Sequence, residues 1–218
     1  ATNIPCPGMP TVTYEGQVYN TIQIFSQCWL KENLNVGTFI QGSENMADND
    51  TIEKYCYNNE PESCTKYGGL YQWDEMMQYT TQEGAPGICP SGWHLPTNEE
   101  WKVLEGSMDS QYGIGNPEWD ISGDWRGYDA GTNLKATSGW GVYGNGTDLF
   151  GFSGLPGGYR HYDGYFNFVG CHSVWWTSTE NLSNIACGRG LLWYLPEVGR
   201  FNKDFKVYGF SVRCLKDE

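Results

Sequence analysis

Cys89-Pro90-Ser91-Gly92-Trp93-His94-Leu95-Pro96-Thr97-Asn98-Glu99-Glu100-Trp101-Lys102-Val103-Leu104 is the stretch on which the fold turns. Thr97 with Glu100 three residues on makes a capping box, in which each side chain satisfies a free backbone N–H of the other residue, and Pro96 sits just before the cap. Trp101 and Leu104 then point the same way, so an amphipathic helix begins here. Upstream, Leu70, Trp73 and Met77 fall at i, i+3 and i+7 and predict another short helix over Leu70–Tyr79. Further upstream the pattern is β. Thr11–Tyr14 and Val18–Ile24 are β-rich runs around the turn signal Glu15-Gly16, and Cys28-Trp29-Leu30 closes the hairpin layer. Residues 37–66 are polar and loop-like.

Downstream of the helix, residues 106–170 hold no sustained period and are rich in Gly, Asn, Asp and aromatics. An irregular stretch of that length in a compact domain usually carries function or a special tether. Strands return at Ser173–Thr179, Ala186–Leu192 and Lys206–Leu215, with Phe210, Val212 and Cys214 on one face of the last. Two short helices in a strand-rich chain mean α+β. Residues 1–218 read as one domain, with an N-terminal hairpin layer over 1–36.

Composition narrows the function. Net charge is −13, from 26 acidic and 13 basic residues, and the basic residues form no run. That charge opposes a phosphate backbone, so nucleic acid is not an expected partner. No stretch is long and apolar enough to span a membrane. Eight Cys, at 6, 28, 56, 64, 89, 171, 187 and 214, lack the CxxC spacing of zinc or redox sites. In an acidic, Trp-rich chain they point to oxidising export, with Ala1 as a processed start. Eight cysteines allow 105 pairings. The short spacings of Cys56–Cys64 and Cys171–Cys187 can close small loops, and Cys6 and Cys28 flank the hairpin. Cys89 is left with Cys214. A free thiol at any of the eight would sink this map and the export argument drawn from it.

Few residues suggest catalysis. Gly151-Phe152-Ser153-Gly154-Leu155 lacks the last Gly of a nucleophile elbow and its strand–turn–helix setting. His94, His161 and His172 are not spaced as ligands, and no enzyme is expected. Asp120-Ile121-Ser122-Gly123-Asp124 and Asn145-Gly146-Thr147-Asp148 cluster hard oxygens as a calcium loop would. Asp120, Asp124 and Asp148 are therefore candidate ligands, with ordinary Asx turns as the commoner meaning. No cofactor is otherwise expected. Trp119, Trp125, Tyr128 and Tyr143 surround these loops. Rings beside carboxylates suit a sugar, and buried core is the competing reading.

Several ordered blocks resemble the Fibrobacter succinogenes major paralogous domain family. They are Tyr14–Leu34 ending in Cys28-Trp29-Leu30-Lys31-Glu32-Asn33-Leu34, Tyr67–Trp73, Cys89–Thr97 with Glu100-Trp101, Phe150–Arg160, Trp175–Glu180 and Ser211–Cys214. The resemblance spans about residues 12–217. It implies exported bacterial proteins, often surface-attached, and a relative of the C-type lectin and formylglycine-generating-enzyme folds, with twisted antiparallel sheets. Those folds join their two ends, which supports Cys89–Cys214 and makes 106–170 the ligand-bearing loop region. The lectin calcium motifs are missing, since Asn116-Pro117-Glu118 reverses the order and no Trp-Asn-Asp occurs. No site residue carries over from either relative.

The leading expectation is a secreted or surface-bound adhesion domain that recognises a glycan or a surface protein. A self-assembling filament subunit is the first alternative, because Ala1–Pro10 is short of apolar anchors of its own. A divergent formylglycine-generating-type enzyme is the second, and it would need two free, adjacent cysteines. Asp50-Thr51-Ile52 resembles an O-glycosylation signal of surface-living bacteria, so Thr51 is a candidate modification site, against the reading of an ordinary polar loop.

Overall fold

A computed structural model describes residues 3–121 and 123–217. Ala1, Thr2, Ser122 and Glu218 lie outside the described residues, and with them the processed start and one member of the 120–124 loop.

β1 (Thr11–Tyr14) and β2 (Gln17–Ile24) pair as a hairpin whose turn residues Glu15 and Gly16 have φ of 47° and 74°. Positive φ at both central positions matches the twist of the flanking strands, and Gly adopts it without steric cost. β3 (Gln27–Leu30) continues the meander, and β4 (Thr38–Phe39) with β5 (Glu53–Lys54) makes a small parallel pair. α1 (Pro61–Tyr67), β6 (Leu70–Tyr71), α2 (Trp73–Met76) and β7 (Trp93–His94) lead into α3 (Asn98–Met108). β8 (Asp124–Arg126), α4 (Ala130–Leu134), β9 (Tyr159–Arg160) and β10 (Phe166–Asn167) are short elements in the long loop region. The chain ends in β11 (His172–Leu182), β12 (Ile185–Leu192), β13 (Val198–Phe205), β14 (Phe210–Ser211) and β15 (Leu215–Lys216).

Two sheets organise the chain, in the orders β1-β2-β3-β15-β7 and β6-β14-β11-β12-β13-β8. Their pairings are antiparallel apart from the parallel contact of β11 with β14. Trp175 and Trp176 are neighbours on β11 and so project to opposite faces of the six-stranded sheet. Trp176 joins Tyr71, Trp73, Val174 and Phe210 in one core. Trp175 joins Trp29, Trp101, Leu104 and Phe152 in the other. Aromatic rings fill this second core, with Trp29 and Trp101 centroids 5.2 Å apart and Phe152 5.9 Å from both Trp101 and Trp175.

The capping box of α3 forms. Thr97 Oγ1 accepts from the Glu100 N–H at 3.2 Å, and Glu100 Oε2 accepts from the Thr97 N–H at 2.8 Å. Trp101, Leu104 and Met108 form its buried stripe. Asp109 ends the helix and then organises the long loop. Its carboxylate accepts backbone N–H groups of Gln111, Tyr112, Tyr128, Asp129 and Ala130. Burial works against its charge, yet these N–H donors win and hold its pKa below the ordinary Asp value.

Several expectations need correction. The helix predicted over Leu70–Tyr79 shrinks to Trp73–Met76, because Leu70 and Tyr71 pair with Ser211 and Phe210 on β14. The strand predicted over Lys206–Leu215 splits into β14 and β15, which belong to different sheets. The 37–66 segment contains α1, started by Pro61 at its first helical position. β13 was not foreseen.

Three of the four expected disulfides form, Cys6–Cys28, Cys56–Cys64 and Cys89–Cys214, with Cα separations of 5.7, 4.9 and 5.9 Å. Cys171 and Cys187 are free. The Trp193 N–H donates to Cys171 O at 2.8 Å, whereas Cys187 lies beside Thr177, next to the Trp176–Gly188 pair. Six residues of strand therefore separate them, about 20 Å, and a disulfide needs Cα atoms within about 7 Å. The full pairing map is therefore wrong, and the argument for export from eight paired cysteines fails with it. Three disulfides still fit an extracellular setting. Among the described residues, no helix is long and apolar enough to cross a membrane.

Candidate functional site

The six-stranded sheet carries an unusual pattern in its middle. Gly188 and Gly190 alternate on β12 with Cys187, Arg189 and Leu191, and Gly190 pairs with Gly199 on β13. The glycine face therefore lacks three β-carbons. The Phe201 ring takes their place: a Cβ added at Gly190 or Gly199 would lie 2.5 or 2.6 Å from it. Glycine inside a strand marks such a close approach.

Two polar groups flank Phe201. A Cβ at Gly190 would lie 3.1 Å from His172 Nε2, and one at Gly188 would lie 3.1 Å from Asp204 Oδ2. The two glycines are about 7 Å apart along one face of the strand. His172 Nε2 and Asp204 Oδ2 are both buried and have no hydrogen-bond partner. Burial pulls His172 down to about 4 and pushes Asp204 up to about 7. At neutral pH the imidazole is uncharged and the carboxyl is poised between donor and acceptor.

Around this pair the rings form a continuous surface. Trp125 on β8 stands 5.6 Å from Phe201 and 6.2 Å from His172. Tyr159 on β9 stands 5.8 Å from His172, 5.9 Å from Phe168 and 6.1 Å from Tyr208. Tyr208 leads on to Tyr162 at 5.8 Å and to Phe205, stacked at 6.4 Å. Tyr162, Phe168 and Phe205 are 55%, 57% and 45% exposed, so the strip faces solvent at its rim. Large exposed apolar patches on a soluble domain usually mark an interaction surface.

Asp204 carries a testable cost. Its protonated form is favoured in the folded state, so the stability tied to that proton is full below about pH 4 and lost as pH rises to about 7. Asp204→Asn is expected to remove that loss. Its melting temperature should exceed that of the wild type at pH 8 and converge with it at pH 4. Parallel melting curves for the two proteins across that range would contradict an unpaired Asp204.

The ring and ligand residues expected from sequence fare unevenly. Trp119 is core, 1% exposed, with its indole N–H donated to Gly113 O at 3.0 Å. It is removed from the contact set. Of the four expected rings, Trp125 joins the aromatic surface. Tyr128 and Tyr143 are exposed, and neither has an aromatic neighbour among the described residues. Asp120 Oδ1 accepts from Lys102 Nζ at 2.7 Å, and Asp124 Oδ1 accepts from the Trp125 N–H at 2.8 Å. Asp148 closes a turn, accepting from the Ser153 N–H at 2.6 Å and Oγ at 2.7 Å. Among the described residues, no three His, Cys, Asp or Glu side chains converge as a metal site. The three aspartates thus serve local bonds. Tyr159, His172, Phe201, Asp204 and Tyr208, which the structure brings together here, are not among the residues expected from sequence. The glycines at 188, 190 and 199 were the available signal.

The family model of the Fibrobacter succinogenes major domain matches residues 22–216. The chain belongs to that family. No curated protein and no solved structure matches it. In this Fibrobacter succinogenes major domain, the matched span contains both large sheets from β3 onward and every ring of the aromatic surface. Thr51 is exposed in the turn between β4 and β5, where its N–H donates to Asn49 Oδ1 at 3.0 Å.

Proposed function

We propose that this domain works outside the cell by binding a glycan on the aromatic surface of its six-stranded sheet, without catalysing a reaction. One observation carries the reading: a continuous strip of rings reaches solvent at Tyr162, Phe168 and Phe205, beside the half-buried Asp204. A sugar offers an apolar face to stack on such rings and hydroxyl groups to bond to polar groups at their edge. No metal enters this reading. A lectin-like fold agrees with it, since β15 lies between β3 and β7 and Cys89–Cys214 closes the chain on itself.

Glycan-array screening followed by calorimetry tests it. The Tyr162→Ala/Phe205→Ala double variant should lose at least tenfold in affinity for the best glycan. Because both rings are about half exposed, its melting temperature should stay close to that of the wild type. Unchanged affinity in the double variant would overturn the assignment.

Self-assembly is favoured by a different observation. Val142 and Tyr143 are 71% and 101% exposed, an apolar loop tip with nothing beneath it. Sedimentation of the wild type as a monomer at high concentration would remove that reading. The formylglycine-generating-type alternative needs adjacent thiols, and the distance of about 20 Å between Cys171 and Cys187 counts against it.

A further inference from the structure

Arg213 lies between β14 and β15, 1% exposed. Its Nε and Nη2 donate to Asn33 Oδ1 at 3.2 and 2.8 Å, and its Nη1 donates to Phe152 O. The guanidinium also lies 4.0 Å from the Phe152 ring centroid. Every one of these partners is neutral. Arg126 and Arg189, equally buried, share the carboxylate of Glu105. Arg160 also lacks a carboxylate, but it spreads its donors over Gly42 O, Val207 O, Glu44 O and Asn45 Oδ1. Arg213 has one amide oxygen and one carbonyl. A buried charge without an opposite charge is costly. Burial pulls the Arg213 guanidinium down to about 9, and the more distant carboxylates of Glu32 and Asp148 only partly oppose this.

Arg213 also lines a cavity of about 330 Å3, together with Lys31, Glu32, Lys66, Tyr67 and Ser153. Lys31 and Lys66 form no ion pair among the described residues. Glu32 is already engaged, accepting from the Asn20 N–H at 2.7 Å and from Asn20 Nδ2 at 2.8 Å. One step back, Lys54 Nζ bonds Asn35 Oδ1 at 2.8 Å, and Asn35 also lines the cavity. Arg213, Lys31 and Lys66 line it against the single carboxylate of Glu32, with Asp148 behind Ser153 and Lys54 behind Asn35, so the balance stays positive in a chain of net charge −13. Concave, low-dielectric walls concentrate such a field on whatever enters.

We propose that this cavity binds a small hydroxylated carboxylate of monosaccharide size, an acidic sugar, with Arg213 as the buried charge at its floor and Lys31 and Lys66 at its mouth. The volume is at the lower end of ligand pockets, which run from about 300 to 1,000 Å3. Gln17, Asn35, Thr65 and Ser153 add polar lining, which suits hydroxyl groups. The site does not depend on the aromatic surface.

Calorimetry with glucuronate, glucose and inorganic sulfate tests this on the whole chain. Glucuronate should bind saturably, at least tenfold more tightly than either of the others. The Lys31→Gln/Lys66→Gln variant should lose at least tenfold in glucuronate affinity, and melting curves should show it folded, because Lys66 is exposed and Lys31 half-buried. The Tyr162→Ala/Phe205→Ala variant should bind glucuronate as the wild type does, which separates this site from the aromatic surface. No saturable binding, equal binding of glucose, equal binding of sulfate, or indifference to the lysine substitutions would each overturn the proposal.

Discussion

Replacing Cys89 and Cys214 together with Ala is expected to destabilise the domain by about 5 kcal/mol and to leave little of it folded at 37 °C. Those cysteines are 125 residues apart in sequence, the longest span of the three bonds. Cross-linking removes loop entropy from the unfolded chain, and the effect grows with the logarithm of the span. The bond also sits inside the core with Trp73, Trp93 and Val212, where Cys214 is fully buried. Losing both sulfurs therefore opens a small cavity as well. Cys56–Cys64 spans 8 residues, and the same reasoning gives about 2.5 kcal/mol for its removal. Urea unfolding of the two double-Ala variants, at equal protein concentration, compares them directly. Equal unfolding midpoints would show that loop entropy does not govern the contribution of these bonds.

Local signals in this sequence were legible where local forces decide. Glu15-Gly16 set the first hairpin, and the Thr97–Glu100 box set α3, because a turn and a cap each satisfy backbone groups within a few residues. The misses arise where distant segments decide. Leu70, Trp73 and Met77 fit a helical period, but β14 captures Leu70 and Tyr71, and helix propensity is too weak to resist a sheet. Residues 209–215 are buried on both faces, so alternation there could not show that the chain hands over from one sheet to the other. Cys171 and Cys187 look like the ends of a small loop, yet they belong to one long hairpin with its turn near residue 183. Position 187 then lies beside 177, and Cys171 is left at the open end. The candidate binding surface was hidden for a related reason. Trp125, Tyr159, His172, Phe201 and Tyr208 come from separate parts of the chain, and the strand order β11-β12-β13-β8 with the neighbouring β9 brings them together. Within the single loop 115–148, only Trp125 lies on this surface.

Glu105→Gln is expected to cost about 3–5 kcal/mol, because it breaks a buried ion triad on one side. Glu105 is fully buried on α3, and its carboxylate accepts from Arg126 Nη2 on β8 and from Arg189 Nε at 2.6 Å on β12. Arg189 Nη2 also donates to Asn98 Oδ1 at 2.7 Å and Asn98 O at 3.1 Å, so the network ties the first turn of α3 to the sheet. Glutamine keeps the volume and one acceptor oxygen, but leaves two guanidinium groups without an opposing charge inside the protein. Burial pulls Arg189 down to about 10, and the neighbouring Arg126 and Arg200 charges push the same way, so the Glu105 carboxylate does not fully offset burial and like-charge repulsion together. The triad therefore fixes how α3 docks on β8 and β12 more than it adds net stability. It follows that Glu105→Met/Arg126→Met/Arg189→Met, which removes all three charges, should be far less destabilised than Glu105→Gln alone, as buried ion networks replaced by apolar groups of similar size often are. Urea unfolding of wild type, single and triple variants decides the matter. A single variant that loses less than about 1 kcal/mol would mean that water reaches the triad, and a triple variant worse than the single would mean that the charges stabilise in their own right.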